Sequence, residues 1–204
     1  MDNKAELLKA LEREMEADRS LPLQESNLVF GEGNPDCKVM FIGEGPGFYE
    51  DKMKRPFVGR AGQLLDRLIA GIGWRREDVY ITNIVKRRPP ENRDPFPNEI
   101  AAYAPYLTRQ IEIIGPTVIV PLGRFAMNYF LPQAKISRDQ GKLFKSGGRY
   151  IYPLFHPAAA LRGTETLNAL TSSFMKLPDM LKKLDAVAEI VADEKKGSAQ
   201  ESLF

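Results

Sequence analysis

The sequence is poor in cysteine, histidine and tryptophan, with one residue of each among 204. The single cysteine, Cys37, excludes an internal disulfide and any metal site built from several cysteines. The longest apolar stretches, such as Thr117–Gly123, hold fewer than ten residues, which is too short for a transmembrane helix. The charged N-terminus lacks the apolar core of a secretion signal. We therefore expect a cytoplasmic protein without membrane contact.

There is also little net charge, because the formal balance is only +2. This value neither requires nor excludes a nucleic-acid partner. Basic residues nevertheless cluster in two segments, 52–60 and 86–93. Phosphate binding depends on such local patches rather than on total charge. The clusters leave two interpretations open, a DNA-binding surface or solvated loops.

Short apolar runs alternate with amphipathic segments along the chain. The apolar runs are typical of strands, at 38–42, 78–85 and 116–123. A hairpin over 141–157 provides a fourth main strand that ends at His156. Apolar residues at helical spacing predict helices at 4–18, 59–73, 97–115, 124–131 and from 164 onward. The third of these is expected to kink near Pro105, and the last to be interrupted at Pro178.

This alternation predicts the α/β class, with one three-layer domain over residues 1–192. Its sheet is expected to be four-stranded and mostly parallel, with helices on both faces. Residues 193–204 are predicted to form a flexible polar tail. In such sheets, ligands bind beyond the carboxyl ends of the strands. The loops at that rim are 43–51, 83–93, 121–124 and 155–162, and they hold every chemically unusual segment.

Five rim residues together suggest chemistry on a nucleobase. An amide such as Asn83 can pair with a base edge, and the ring of Phe57 can stack on its face. The carboxylates of Glu44 and Glu50 can activate water, and His156 can donate a hydrogen bond to an oxygen that gains negative charge. Each residue also has a plain structural interpretation, as a loop donor, a turn or cap residue, or a core ring. Their shared placement favours the functional interpretation.

Four ordered segments carry a family resemblance. They are "VFGEGNPDCKVMFIGEGPGFYEDKMKRPFVGRAGQLLDRL" at 29–68, "VYITNIVKRRPPENR" at 79–93, "VIVPLG" at 118–123 and "FHPAAALR" at 155–162. Together they resemble the family 4 branch of the uracil-DNA glycosylases over roughly residues 27–163. The resemblance implies a four-stranded parallel sheet between helices, and hydrolysis of the N-glycosidic bond of uracil in DNA during base excision repair. It also implies uracil-containing DNA as the partner. Separately, we expect a monomer without a bound metal ion.

The resemblance assigns roles to matching positions. Phe57 would stack on the flipped uracil, Asn83 would read its edge, and His156 would steady its O2 oxygen as the base leaves. Gly45 occupies the place of a water-activating aspartate in the family 1 enzymes. The acid role would then fall to Glu50 or Glu44, and we prefer Glu50.

The same resemblance suggests a DNA-contacting surface. Leu161 and Arg162 would fill or brace the stack that the flipped base vacates, as apolar wedges do in other proteins. The full set of expected DNA contacts is Lys86, Arg88, Gly123, Arg124, Leu161 and Arg162.

The sequence departs from the family where an iron–sulfur cluster is expected. The four cysteine positions are taken by Glu16, Arg19, Arg87 and Tyr103. Ligation by four thiolates is therefore impossible, and we predict a protein without this cofactor. We expect Glu16 to pair with Arg87 and Tyr103 to fill the former cluster volume.

The last residues resemble a bacterial sliding-clamp motif, Gln-x-x-Leu-Phe. Gln200, Leu203 and Phe204 match its defined positions. Such short motifs also arise by chance. A clamp tether would raise the local concentration of the protein on newly replicated DNA.

Two other functions remain open at this stage. One is a glycosylase of shifted specificity, for example toward hypoxanthine. The other is a non-catalytic DNA-binding or clamp-binding protein. The sequence does not decide which acid activates water, whether single- or double-stranded DNA is preferred, or what Cys37 does.

Overall fold

The computed structural model describes residues 3–187. Within them, one mixed sheet has six strands in the order β1-β3-β2-β4-β6-β5. The strands are β1 (Glu32–Gly33), β2 (Val39–Gly43), β3 (Tyr80–Asn83), β4 (Val118–Pro121), β5 (Phe144–Ser146) and β6 (Arg149–Ile151). The central pairs β3·β2, β2·β4 and β4·β6 are parallel, and β1 and β5 are antiparallel edges. The predicted four parallel strands and the hairpin are confirmed, and β1 is an additional strand.

The fourth strand departs from its predicted end at His156. Regular pairing of β6 stops at Ile151, although Tyr152 and Leu154 still donate their N–H groups to the carbonyls of Ile119 and Pro121, each at 2.9 Å. The chain nevertheless stays beside β4, because Leu154 forms a parallel bridge with Leu122. This alignment carries His156 to the same rim as the ends of β2 and β3.

Eight helices with defined bounds surround the sheet in the described part of the chain. They are α1 (Lys4–Ala17), α2 (Phe48–Met53), α3 (Arg60–Gly71), α4 (Pro97–Ile114), α5 (Arg124–Phe130), α6 (Ile136–Asp139), α7 (Pro157–Ala160) and α8 (Thr164–Phe174). Short 3₁₀ turns cover Arg76–Asp78 and Pro90–Asn92. Helix α4 is continuous through Pro105. The break after α8 is a turn at 175–176, and Pro178 lies in the first turn of a helical segment described to 187, where proline is well tolerated.

Alternate residues of β2 divide the core into two layers. Met40 and Ile42 pack with α1 and α4 on one face of the sheet. Val39 and Phe41 pack with α3 and α8 on the other. Because successive strand residues point to opposite faces, a continuous apolar run is the pattern of a strand covered on both sides. The predicted three-layer arrangement is confirmed.

The predicted pair of Glu16 and Arg87 is present. The two side chains lie 3.0 Å apart, with Arg87 buried and Glu16 exposed. Arg87 also donates to the carbonyl of Ser26 at 2.5 Å. Tyr103 is fully buried and donates its hydroxyl to the carbonyl of Pro22 at 2.7 Å. These bonds tie α1, the loop after β3 and α4 together.

Candidate active site

A cavity of about 310 Å³ opens at the carboxyl ends of β2 and β3. The structure brings Glu44, Glu50, Phe57, Asn83 and His156 to its walls. Gly45 and Arg162 also line it. The loop after β2 continues into α2, a helix that the glycine-rich sequence there did not predict. The sequence thus placed these side chains on one rim, and the structure shows them around one cavity.

Phe57 is held in an uncommon backbone conformation. Its φ is 52°, in the left-handed region, and its ring is buried. The ring stacks on that of His156, with centroids 5.5 Å apart and planes 28° from parallel. On the C-terminal side, Glu50 Oε1 accepts the N–H groups of Val58 at 2.9 Å and Gly59 at 2.7 Å. Such conformations persist only where the surroundings impose them.

Arg76 holds the same loop from its other side. Its guanidinium donates to the carbonyl of Pro56 at 2.5 Å and to that of Phe57 at 3.3 Å. Glu32 and Asp66 pair with this guanidinium and fix its orientation. Sequence reasoning missed Arg76, because it comes from a 3₁₀ turn nineteen residues away that carries no motif.

Gly62 lets helix α3 pack directly on the Phe57 backbone. A Cβ atom at Gly62 would overlap the carbonyl group of Phe57. We expect Gly62→Ala to destabilise the fold by about 2 kcal/mol through overpacking, which lowers Tm by about 4–8 °C. Gly71→Ala is the matched control on the same helix, since nothing lies within 4 Å of its added Cβ. Thermal unfolding of the two variants checks this, and equal Tm values would contradict it.

Asn83 presents an unsatisfied amide to the cavity. The residue is 1% exposed, and its Oδ1 has no hydrogen-bond partner within residues 3–187. Gly43 lies opposite Asn83 in the parallel register, and its missing side chain makes room for the amide and the Phe57 ring. A buried acceptor without a partner is costly, so a native site that keeps one is poised for a donor from a ligand.

His156 is held as a neutral donor. Its Nδ1 accepts the N–H of Ala158 at 3.1 Å, which places the ring proton on Nε2. Burial lowers the pKa of His156 to about 4, although the charge of Glu50 acts in the opposite direction. The imidazole is therefore uncharged at neutral pH, with Nε2–H free to donate.

The two cavity carboxylates differ in environment. Burial raises the pKa of Glu44, and the nearby charge of Asp94 adds to the effect. Glu44 Oε1 accepts the N–H of Phe125 at 3.0 Å. Gly123, at φ 94°, lies against this carboxylate and against His156, where a side chain would collide with both. Glu50, in contrast, uses one oxygen to hold the Phe57 loop.

Four of the residues expected to contact DNA, Arg88, Arg124, Leu161 and Arg162, are exposed or partly exposed. Arg124 and Leu161 are exposed beside the cavity, and Arg124 pairs with Asp94 at 2.6 Å. Arg88 is partly exposed, and its guanidinium lies over the Phe48 ring. Arg162 is exposed and also lines the cavity, so three guanidinium groups lie near the cavity, whereas Leu161 is apolar.

The prediction that Lys86 contacts DNA is wrong. Its side chain is fully buried, and its Nζ donates to Thr82 Oγ1 at 2.5 Å and to Gln110 Oε1 at 2.6 Å. Burial lowers the pKa of Lys86 well below its usual range. The basic run around Lys86 suggested a solvated loop, but the chain enters the core between β3 and α4.

The positions expected to ligate an iron–sulfur cluster do not fit one. Arg19 is exposed, Glu16 and Arg87 neutralise each other, and Tyr103 fills the space beside them. The one cysteine, Cys37, is buried just before β2, at the opposite end of the sheet from the rim, and burial raises its pKa to about 11. Within residues 3–187, no group of three or more His, Cys, Asp or Glu side chains is arranged to hold a metal ion.

Two further expectations concern the membrane and the tail. None of the helices in the described range 3–187 has the length and apolar character that a membrane crossing requires. Gln200, Leu203 and Phe204 lie outside the described residues, so the structure does not test the clamp motif.

Comparison with known proteins identifies a family and relatives that match most of this chain. The family model described as the uracil DNA glycosylase superfamily matches residues 30–183. A type-4 uracil-DNA glycosylase of Thermotoga maritima is 51% identical over 145 residues, which cover 70% of this chain and 76% of the relative. One of Archaeoglobus fulgidus is 42% identical over 189 residues, 87% of this chain and 95% of the relative. One of Sulfurisphaera tokodaii is 44% identical over 165 residues, 76% and 75% of the two chains.

Proposed function

The chain belongs to the uracil DNA glycosylase superfamily, and from that premise we propose that it hydrolyses the N-glycosidic bond of uracil in DNA. The observation that carries the proposal is one cavity shared by Phe57, Asn83 and His156, in which the Asn83 acceptor has no partner among the described residues. Chemistry on a base requires that the nucleotide leave the helical stack and enter such a pocket.

The cavity fits the ring and the edge of uracil. Phe57 offers an aromatic face, and Asn83 offers one acceptor and one donor side by side. Uracil presents the complement, an N3–H donor beside its O4 acceptor. Cytosine presents an acceptor at N3 and a donor at N4, which would meet like groups on the same amide. Because unpaired buried polar groups are costly, this arrangement discriminates between the two bases.

His156 stabilises the departing base. Hydrolysis forms a bond from a water oxygen to C1′ and breaks the bond from C1′ to N1, whose electron pair leaves with uracil. The resulting anion carries charge on O2. The neutral Nε2–H of His156 can donate a hydrogen bond to that oxygen. This hydrogen bond becomes stronger as the C1′–N1 bond breaks, because the negative charge on O2 increases. The products are free uracil and an abasic site.

Glu44 is the better supported group for directing the water. The pKa of Glu44 is raised toward the working pH, and a general base is more effective when its pKa lies near that pH. Only one of its carboxylate oxygens accepts the Phe125 N–H, which leaves the other for a water molecule. Glu50, which we preferred from the sequence, instead holds Val58 and Gly59 and so positions Phe57. Glu44→Gln is expected to reduce the rate of bond cleavage more than substrate affinity.

A labelled oligonucleotide with one uracil tests the proposal. Incubation followed by alkali should break the strand at the abasic site in the wild-type reaction. The same assay with hypoxanthine tests shifted specificity. Binding of uracil-containing DNA with no strand break in either assay would reject the glycosylase and favour a non-catalytic DNA-binding protein.

The activity is proposed to require no iron–sulfur cluster. The Glu16–Arg87 pair and the Tyr103 hydroxyl already join the segments that a cluster would otherwise connect. Such a bridge needs no metal to form. Iron present in one-to-one or higher ratio with the purified active protein would contradict this proposal.

Two features of cellular context complete the proposal. The protein acts as a monomer in the cytoplasm, where it has access to DNA. The tail residues Gln200, Leu203 and Phe204 tether it to the bacterial sliding clamp through two apolar side chains and an orienting amide. Fluorescence anisotropy of peptide 196–204 with purified clamp measures this, and no binding at high micromolar clamp would reject the tether.

A further inference from the structure

The exposed aromatic side chains within residues 3–187 all lie beside the candidate active site. Only Phe48, Tyr49 and Phe96 have large aromatic side chains that are about half exposed or more, at 51%, 60% and 52%. We refer to these three residues as the aromatic rim. Large apolar groups left in water tend to mark a binding surface when they cluster.

The aromatic rim approaches the cavity from two segments. Phe48 and Tyr49 are the first two residues of α2. Gly47, which precedes them, and Glu50, which follows them in α2, both line the cavity. Phe96 directly follows the cavity-lining segment 92–95. Each of the three residues is therefore directly next in sequence to a residue that lines the cavity.

Core packing does not account for these rings. Helix α2 has only six residues and none of them is buried. It is fixed instead by polar bonds, because Asp51 accepts the backbone N–H of Asn27 at 2.7 Å. The ring of Phe48 meets that of Tyr49 edge to face, with centroids 5.4 Å apart. The rings are thus held in place but turned toward solvent.

Cationic side chains accompany the rings. The guanidinium of Arg88 lies 5.2 Å from the centre of the Phe48 ring, and that of Arg93 lies 3.7 Å from the centre of the Phe96 ring. Lys52 and Lys54, on and just after α2, are exposed. Aromatic faces interleaved with positive charge are the composition of surfaces that bind single-stranded nucleic acid, where bases stack and phosphates pair.

We propose that the aromatic rim is a stacking platform for unpaired bases that flank the uracil, so that the protein engages single-stranded DNA through Phe48, Tyr49 and Phe96. The inference rests on the proposed glycosylase function and adds the substrate's strand state. In a duplex, the neighbours of a flipped base stay paired and stacked within the helix, so their faces are not available to the protein surface. In a single strand their faces are available, and stacking on an aromatic side chain strengthens binding by roughly fivefold or more per base.

The test compares uracil excision from single-stranded and duplex oligonucleotides of the same sequence. For Phe48→Ala/Tyr49→Ala, KM on the single strand is expected to rise about tenfold or more, with kcat retained and KM on the duplex changed less than threefold. Phe96→Ala should act in the same direction from the other segment. Met53→Ala is the matched control, since Met53 is on the same helix and 53% exposed but has no ring.

Anisotropy with an undamaged single strand supplies a readout independent of catalysis. Weaker binding by the double variant, with Met53→Ala unchanged, supports the platform even if the wild type excises no uracil. Normal excision by the wild type with an unchanged single-strand KM in the double variant overturns the platform and leaves the proposed function standing. An equal loss on single strand and duplex also overturns it.

Discussion

Asn83→Ala is expected to reduce kcat/KM for uracil excision by roughly a hundredfold to ten-thousandfold. The variant leaves the N3–H and O4 groups of uracil buried without partners, and each such loss costs about 1–3 kcal/mol. The effect should be this large because Asn83 is 1% exposed, so water cannot replace its amide. Single-turnover kinetics on a uracil oligonucleotide give the measurement.

Asn83→Ala should not lose thermal stability, although it loses activity. The buried Oδ1 of Asn83 has no partner in the part of the chain that the structure describes, which is destabilising, and alanine removes this atom. We expect Tm to stay level or rise. Asn92→Ala is the matched control for activity, because Asn92 lines the same cavity but is exposed and already accepts from Arg88 at 2.6 Å. An Asn83→Ala enzyme within threefold of wild type would contradict the assignment.

His156→Ala is expected to lower kcat by about 10²–10³, with a smaller change in KM. This is the usual effect of removing one donor to an oxygen that gains charge only in the transition state. Single-turnover rates at saturating enzyme separate the chemical step from binding. A variant that loses affinity alone would place His156 in substrate binding rather than in catalysis.

The pH dependence of His156 follows from its lowered pKa. The imidazole is neutral above about pH 4, so its titration should leave no step in the excision rate between pH 5.5 and 8. Below its unfolded pKa of about 6.5, the unfolded chain binds a proton that the folded chain refuses. The contribution of His156 to the free energy of unfolding should therefore be fully present above pH 6.5 and be lost as the pH drops toward 4. His156→Ala should remove this part of the decline in an acid titration of Tm.

The parallel core and the location of the cavity could be read from the sequence because both follow from local patterns. Apolar runs such as 38–42 mark buried strands, and parallel strands bring their carboxyl ends to one edge. That rule alone predicts that Glu44, Asn83 and His156 lie at the same edge of the sheet. The pair of Glu16 and Arg87 was likewise accessible, because the family resemblance aligned two positions that must lie together.

The errors come from interactions between distant parts of the chain. Lys86 looks solvated within a basic run, but its partner Gln110 lies twenty-four residues away on a helix whose packing the sequence does not reveal. Arg76 acts by donating to backbone carbonyl groups. Because every residue has such a carbonyl, the sequence does not indicate which residues Arg76 will contact. Strand β1 has only two residues, too few to show a period.

The grip on Phe57 from Glu50 and Arg76 has a consequence for substrate capture. The Phe57 ring is already in position before a base binds. The loss of conformational entropy that fixes the ring therefore occurs on folding and does not weaken each binding event. An incoming uracil enters a slot that is open beforehand. Its arrival should therefore be limited by how often the nucleotide swings out of its strand, and not by any rearrangement of the protein around that aromatic wall.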